Sequence, residues 1–173
     1  MITKNNKKKK ILILITVILV TIITVFTIYV CDYYRVSDEM YEAIELLDTS
    51  LVERYEDSDQ ITYSVDSPIA NIVFIPGGKI EADSYEYLAI NLAMQKYDVT
   101  IYKPIFRLAI FTPNHAKRFL SEDLDNIVIG HSLGGVVASM MSEANDLVNK
   151  IVILGSYSIA DITDKEVLLI TAE

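Results

Sequence analysis

Residues 130–135 read Gly-His-Ser-Leu-Gly-Gly, between an apolar run at 125–129 and a helix-like stretch at 136–144. A serine with glycines two before and two after, set between strand and helix, fits a nucleophile elbow, a turn so sharp that the hydroxyl is pushed out of it. Gly130 and Gly134 then approach so closely that a Cβ would clash. The chemistry this offers is attack by Ser132 on an acyl carbon, which also needs a base and donors for the developing oxyanion. Leu133, opening the next helix, supplies a backbone N–H strengthened by the helix dipole. The turn Pro76-Gly77-Gly78-Lys79 follows an earlier apolar run and offers a second donor, Gly78 first and Lys79 next. Two plainer readings compete: a Gly-rich strand-to-helix turn with an idle serine, and an ordinary Gly-Gly turn. A Walker-type phosphate loop is excluded, because Gly-Gly-Lys-Ile lacks both the glycine spacing and the hydroxyl residue after lysine.

The base is the difficulty, since the chain has 2 histidines. His131 adjoins Ser132, so the turn aims its side chain elsewhere, as a packing residue. His115 stands upstream, early in an expected helix. Asp161 reads as a turn cap, and Glu173 is a terminal residue and a poor acid.

These groups need a frame. From residue 70 onward strand and helix patterns alternate, the mark of an α/β domain with a largely parallel sheet flanked by helices. Strands are expected at 71–75, 99–103, 126–129, 151–154 and 167–170. Helices are expected at 84–96, with Tyr87, Leu88 and Leu92 on its apolar face, at 114–120 with Pro113 in the first position, and at 136–144. Upstream, Ser37 caps a helix over 38–51 with Met40, Ile44, Leu47 and Leu51 on one face. Residues 53–60 read as a polar break, and 61–65 alternates like a half-buried or edge strand.

Residues 11–30 form twenty uncharged positions. In lipid such a run is helical, because only a helix satisfies its own backbone hydrogen bonds, and it spans about 30 Å, the hydrocarbon thickness of a bilayer. Lysines in front hold that end in the cytoplasm, and Tyr29, Tyr33 and Tyr34 suit the opposite interface. A cleaved signal peptide would have a shorter apolar run and a small-x-small site, whereas Ile28, Tyr29 and Val30 precede Cys31. An uncleaved anchor with the domain outside the cytoplasm is the expectation. Thr21, Thr24 and Thr27 should bond back to helix carbonyls.

The net charge of −9 hides an asymmetry: the lysines at 4, 7, 8, 9 and 10 leave ten basic against 24 acidic residues beyond Ile11. An acidic body excludes nucleic acid as a partner. One cysteine allows no internal disulfide, and no Cys/His group has zinc spacing, so no metal is expected.

The segments IVFIPGGKIEADSYEYLAINLAMQKYDVTIYKP, IVIGHSLGG and KIVILGSYSIADIT, in that order, resemble the alpha/beta hydrolase fold-5 group, itself similar to dienelactone hydrolases. The likeness runs from residue 61 to the end. It implies a serine hydrolase acting on small-molecule carboxylic esters or related acyl compounds without a cofactor. Ser132 matches the nucleophile, and Leu133 with the 77–79 turn matches the oxyanion elements. The resemblance also places the acid after the strand at 167–170 and the histidine one strand later, in the order Ser, acid, His. His115 is out of that order, and the chain ends where the acid's turn begins. The expectation is thus a cytoplasmic tail (1–10), a transmembrane helix (11–30), a linker (31–60) and a carboxyl-terminally truncated, incomplete hydrolase domain (61–173). Truncation would leave the strand at 167–170 as a bare edge. The alternative is a catalytically inactive membrane-tethered binding domain or a truncated remnant.

Overall fold

The computed structural model describes residues 2–143 and 145–171. The end of the expected helix at Ala144, and Glu173, lie outside the described residues. The chain divides into two compact units, Met1–Tyr33 and Tyr34–Glu173.

The first unit is a single helix, α1 (Ile2–Cys31). Among the described residues it is the one helix long and apolar enough, by length and composition, to cross a membrane. Its β-branched side chains from Ile11 to Ile28 are exposed. Thr16, Thr21 and Thr27 donate their hydroxyls to the carbonyls four residues back, at 2.8–2.9 Å, so these polar groups are satisfied within the helix.

The second unit is built on a seven-stranded sheet. In chain order its strands are β1 (Glu53–Glu56), β2 (Gln60–Ser64), β3 (Ala70–Ile75), β4 (Tyr97–Tyr102), β5 (Asn126–His131), β6 (Val148–Leu154) and β7 (Glu166–Ile170). They lie in the order β1-β2-β4-β3-β5-β6-β7, with β1, β2 and β4 antiparallel neighbours and every pairing from β4 to β7 parallel. β3 is buried at all six positions, as a central parallel strand covered on both faces must be. Its alternate side chains feed two cores. Val73 and Ile75 join Val128, Ile151, Ile153 and helix α4 (Leu133–Ser142), while Ile72 and Phe74 join Val99, Ile101, Ile129 and helix α3 (Glu86–Met94). Each such side chain contributes about 1.5–3 kcal/mol on burial.

Several local expectations change. Residues 53–60 hold β1 and the turn into β2 rather than an unstructured break, because Arg54 pairs across to Glu86 at 2.6 Å and to Glu56 at 2.7 Å. β2 is consequently the half-buried strand expected and not the edge alternative: Ile61 and Tyr63 are buried between partly exposed neighbours. Helix α2 is Asp38–Glu45, shorter than 38–51, and Ser37 takes the extended N-cap backbone without a side-chain cap. The helix expected from Ser84 begins as a 3₁₀ turn (Ala82–Tyr85), and α3 follows. Its buried side is Glu86, Ala89, Ile90 and Ala93, with Tyr87 and Leu88 exposed, because small alanines let the helix sit close to the sheet. The expected helix at 114–120 is one 3₁₀ turn, His115–Phe119, in a connection from β4 to β5 that also holds turns at Ile105–Arg107 and Ala109–Phe111. β7 is an edge strand exposed at all five positions.

A buried amide pair fixes the register of the two strands that matter most. Asn71 Nδ2 donates to Asn126 Oδ1 at 2.8 Å, and Asn126 Nδ2 donates to the carbonyls of Ser121 and Leu147 at 2.8 and 2.9 Å. The amino ends of β3 and β5 are thereby locked side by side.

Candidate active site

From β3 the chain crosses to β4 on one side, then returns past β3 to β5 on the other. In an open α/β sheet this reversal leaves a crevice outside the carboxyl ends of the two diverging strands, where ligands bind. The carboxyl end of β3 leads into Pro76-Gly77-Gly78, and that of β5 into Ser132. The two motifs singled out in the sequence therefore meet at the switch point of the sheet.

Ser132 has φ 50° and ψ −123°, a left-handed backbone that a residue with a Cβ adopts at a cost of about 1–3 kcal/mol. It is held there by its N–H donating to Leu154 O and by Gly135 N–H donating to its carbonyl, both at 2.9 Å. The side chain is exposed, and among the described residues its hydroxyl has no hydrogen-bond partner. A Cβ on Gly130 would meet the Gly134 carbonyl carbon at 2.6 Å, and one on Gly134 would meet the Ile75 carbonyl carbon at 2.8 Å. Backbone cannot yield there, so both glycines are required for the elbow to pack against β3. Gly135 brings α4 against residue 156, where a Cβ would meet Ser156 Cβ at 2.7 Å.

Leu133 is the first residue of α4, so its N–H has no carbonyl one turn earlier to bond. Gly78 is its neighbour: a Cβ on Gly78 would stand 2.9 Å from Leu133 Cδ2 and 3.4 Å from Leu133 Cβ. The Gly78 N–H has no partner among the described residues. Lys79 differs from expectation. Its amide donates to Arg107 O at 3.0 Å, which removes it from the donors facing the crevice. Lys79 also carries the turn's positive φ, 61°, whereas Gly77 and Gly78 are needed for close approach.

Behind the elbow, Tyr85 Oη lies 2.9 Å from His131 Nδ1 and accepts the Gly77 N–H at 3.0 Å. Burial pushes the Tyr85 phenol above its ordinary range, against the opposing effect of the Gly77 bond, so the ring stays neutral. Tyr85 was not singled out in the sequence, and only the structure reveals it as the link between the two turns. His115 is turned away to the surface, where Nε2 pairs with Asp59 at 3.2 Å beside Arg118 on the same carboxylate, and its ring stacks on Tyr102. Asp161 Oδ1 accepts the Thr163 N–H and hydroxyl at 3.1 and 2.7 Å, which holds its carboxyl below the usual range; it caps its own turn.

Beyond the turn at 76–79 lies a cleft of about 660 Å³ whose wall includes Ile80, Tyr102, Ile105, Phe106, Arg107 and His115, but not Ser132. No group of three or more acidic, histidine or cysteine side chains suited to a metal occurs among the described residues.

The model of the alpha/beta hydrolase family matches residues 71–173. No curated protein matches the chain. A "predicted CIB-like hydrolase from Thermoplasma acidophilum" superposes with TM-score 0.52 at 15% identity, covering 68% of this chain and 73% of that one. A structure named m3DLH gives TM-score 0.52 at 14% identity over 69% and 68%. A lipase in its open form gives 0.48 at 16% identity over 61% of this chain, which spans 43% of the lipase's length. At such identities the likeness is one of fold.

Proposed function

The chain belongs to the alpha/beta hydrolase family, and from that premise we propose that it is a membrane-anchored serine hydrolase acting on carboxylic esters or related acyl substrates through Ser132. The backbone of Ser132 carries this reading: a non-glycine residue at φ 50° and ψ −123°, with an exposed hydroxyl, is a strained arrangement with no packing role. The Gly78 amide, without a partner among the described residues, and the Leu133 amide, first in α4, support it as the oxyanion donors.

In this mechanism Ser132 Oγ attacks the ester carbonyl carbon, and the π pair moves to the oxygen cradled by the two amides. Collapse breaks the bond to the alkoxy group, which leaves with a proton as alcohol. Water then attacks the acyl-serine, releasing carboxylic acid and restoring the hydroxyl. Neither a metal nor a cofactor is required.

The anchor is α1, with its lysine-rich end cytoplasmic and the hydrolase domain on the other side of the membrane. Residues 32–52, which include α2, form the connection, and the sheet of the hydrolase domain begins with β1 at Glu53. The acidic body fits a small-molecule substrate and not nucleic acid.

An alkyl fluorophosphonate tests the reading. Labelling of the wild-type chain that is lost in Ser132→Ala is expected; equal labelling of both overturns it. One observation favours a second reading, a tethered domain that binds acyl ligands in the same crevice without turnover: both histidines are engaged elsewhere, His131 by Tyr85 and His115 by Asp59.

A further inference from the structure

Tyr34, three residues beyond the end of α1, is hydrogen-bonded to the turn that carries Gly78. Its N–H donates to Lys79 O at 2.8 Å and its carbonyl accepts the Glu81 N–H at 3.0 Å, in a parallel bridge to Ile80. A chain of three residues reaches at most about 11 Å. Tyr34 therefore lies within about 11 Å of Cys31, the last residue of the apolar helix, and the turn is hydrogen-bonded to Tyr34.

The same turn holds a second feature. Lys79 N–H donates to Arg107 O, and Leu108 Cδ2 would lie 3.5 Å from a Cβ on Gly78, which fastens the 105–111 segment to the site. That segment exposes Ile105, Phe106, Ile110 and Phe111, at 53, 46, 37 and 53%. The two phenylalanine rings meet edge-on at 6.5 Å. Phe106 and Arg107 are consecutive non-glycine residues at positive φ, 54° and 57°, so the apolar face is displayed on a backbone that is itself unfavourable. Clustered exposed apolar side chains of this kind mark a contact surface, and aromatic rings favour the membrane interface.

We propose that Ile105, Phe106, Ile110 and Phe111 dip into the leaflet of the same bilayer that α1 spans, so that the crevice takes amphiphilic esters whose acyl chains reside in that leaflet. The short tether selects the occupant: with only Asp32 and Tyr33 between α1 and Tyr34, the domain cannot move far from the bilayer, and its apolar surface meets lipid before it meets a soluble partner. The substrate clause rests on the hydrolase reading, whereas the docking clause does not.

The chain contains no tryptophan, so a single introduced one reports depth. The full chain carrying Phe106→Trp or Phe111→Trp is reconstituted in phosphatidylcholine–phosphatidylglycerol vesicles with bromines on the acyl chains. Leu147→Trp is the control, an exposed apolar site preceding β6, at the opposite end of the parallel strands. Emission from positions 106 and 111 should shift to the blue and be largely lost to bromine, while that from 147 persists. Equal emission at all three positions overturns the docking, as does shielding of 106 and 111 that comes with cross-linked dimers rather than bromine quenching. A long-chain fluorophosphonate dissolved in the vesicles should label Ser132 several-fold faster than a short soluble one, and the reverse order overturns the substrate clause. Failure of all labelling with quenching intact removes the hydrolase reading and leaves the docking.

Discussion

Tyr85 Oη and His131 Nδ1 stand 2.9 Å apart, and the same phenol accepts the Gly77 N–H. One side chain thus bridges the two turns that end β3 and β5. It also commits the histidine beside Ser132 to a structural bond, so its adjacency in sequence does not make it a base.

Tyr85→Phe removes a donor and an acceptor at once and leaves the Gly77 N–H and His131 Nδ1 unpaired. A loss of about 1–3 kcal/mol is expected, together with slower fluorophosphonate labelling as the turns drift apart. Burial raises the folded Tyr85 pKa above the unfolded value of 10.0. The contribution is full below that value and is lost as pH rises through the folded pKa. Wild type should therefore lose stability more steeply than the variant above pH 10; parallel melting curves there would refute the assignment.

Ser132→Gly and Ser132→Ala both remove the hydroxyl proposed as the nucleophile but differ in backbone freedom. At φ 50° only glycine relaxes, so Ser132→Gly should exceed Ser132→Ala by about 1 kcal/mol, a few degrees in Tm. Identical melting temperatures would show that the elbow stores no strain.

Gly78→Ala places a Cβ 2.9 Å from Leu133 Cδ2, the mobile end of a side chain. The fold should survive with little change in Tm, while displacement of a proposed oxyanion donor slows labelling by up to about 10²-fold. Gly134→Ala instead meets the backbone of Ile75 and Pro76 and should cost more than about 4 kcal/mol. Equal effects of the two substitutions on folding would contradict this division of roles.

Much of this was readable beforehand because it rests on local backbone rules. The Gly130–Ser132–Gly134 spacing and the apolar run of β3 each admit few conformations. What escaped the sequence was tertiary. β1 is held by an Arg54–Glu86 pair 32 residues apart, α3 begins where alanines can approach the sheet, and Lys79 loses its amide to Arg107. None of these partners is a neighbour in the chain, so no periodicity announces them.

Glu56 accepts Lys103 Nζ at 2.6 Å and Arg54 at 2.7 Å, and these bonds, the lysine's first, hold its carboxyl below the ordinary 4.5. The stability they give is present above 4.5 and is lost as pH falls through the lowered folded value. Glu56→Gln should flatten the fall in Tm below pH 4.5 and lower Tm slightly at neutral pH. An unchanged acid limb would remove Glu56 from the groups that set it.

With His131 bonded to Tyr85 and His115 to Asp59, neither should act as base for Ser132. Oxyanion donors and substrate positioning alone leave an acceleration of about 10³–10⁴ over water in serine hydrolases stripped of their triad. Hydrolysis of short nitrophenyl esters by this chain should therefore be slow and should depend on Ser132. It should rise with added imidazole, because a diffusible base then does what neither histidine is placed to do. His115→Ala should leave the rate unchanged, since its ring faces Asp59 at the surface. A rate that collapses in His115→Ala and is not restored by imidazole would place the base on that histidine. The β4–β5 connection would then have to swing it to Ser132.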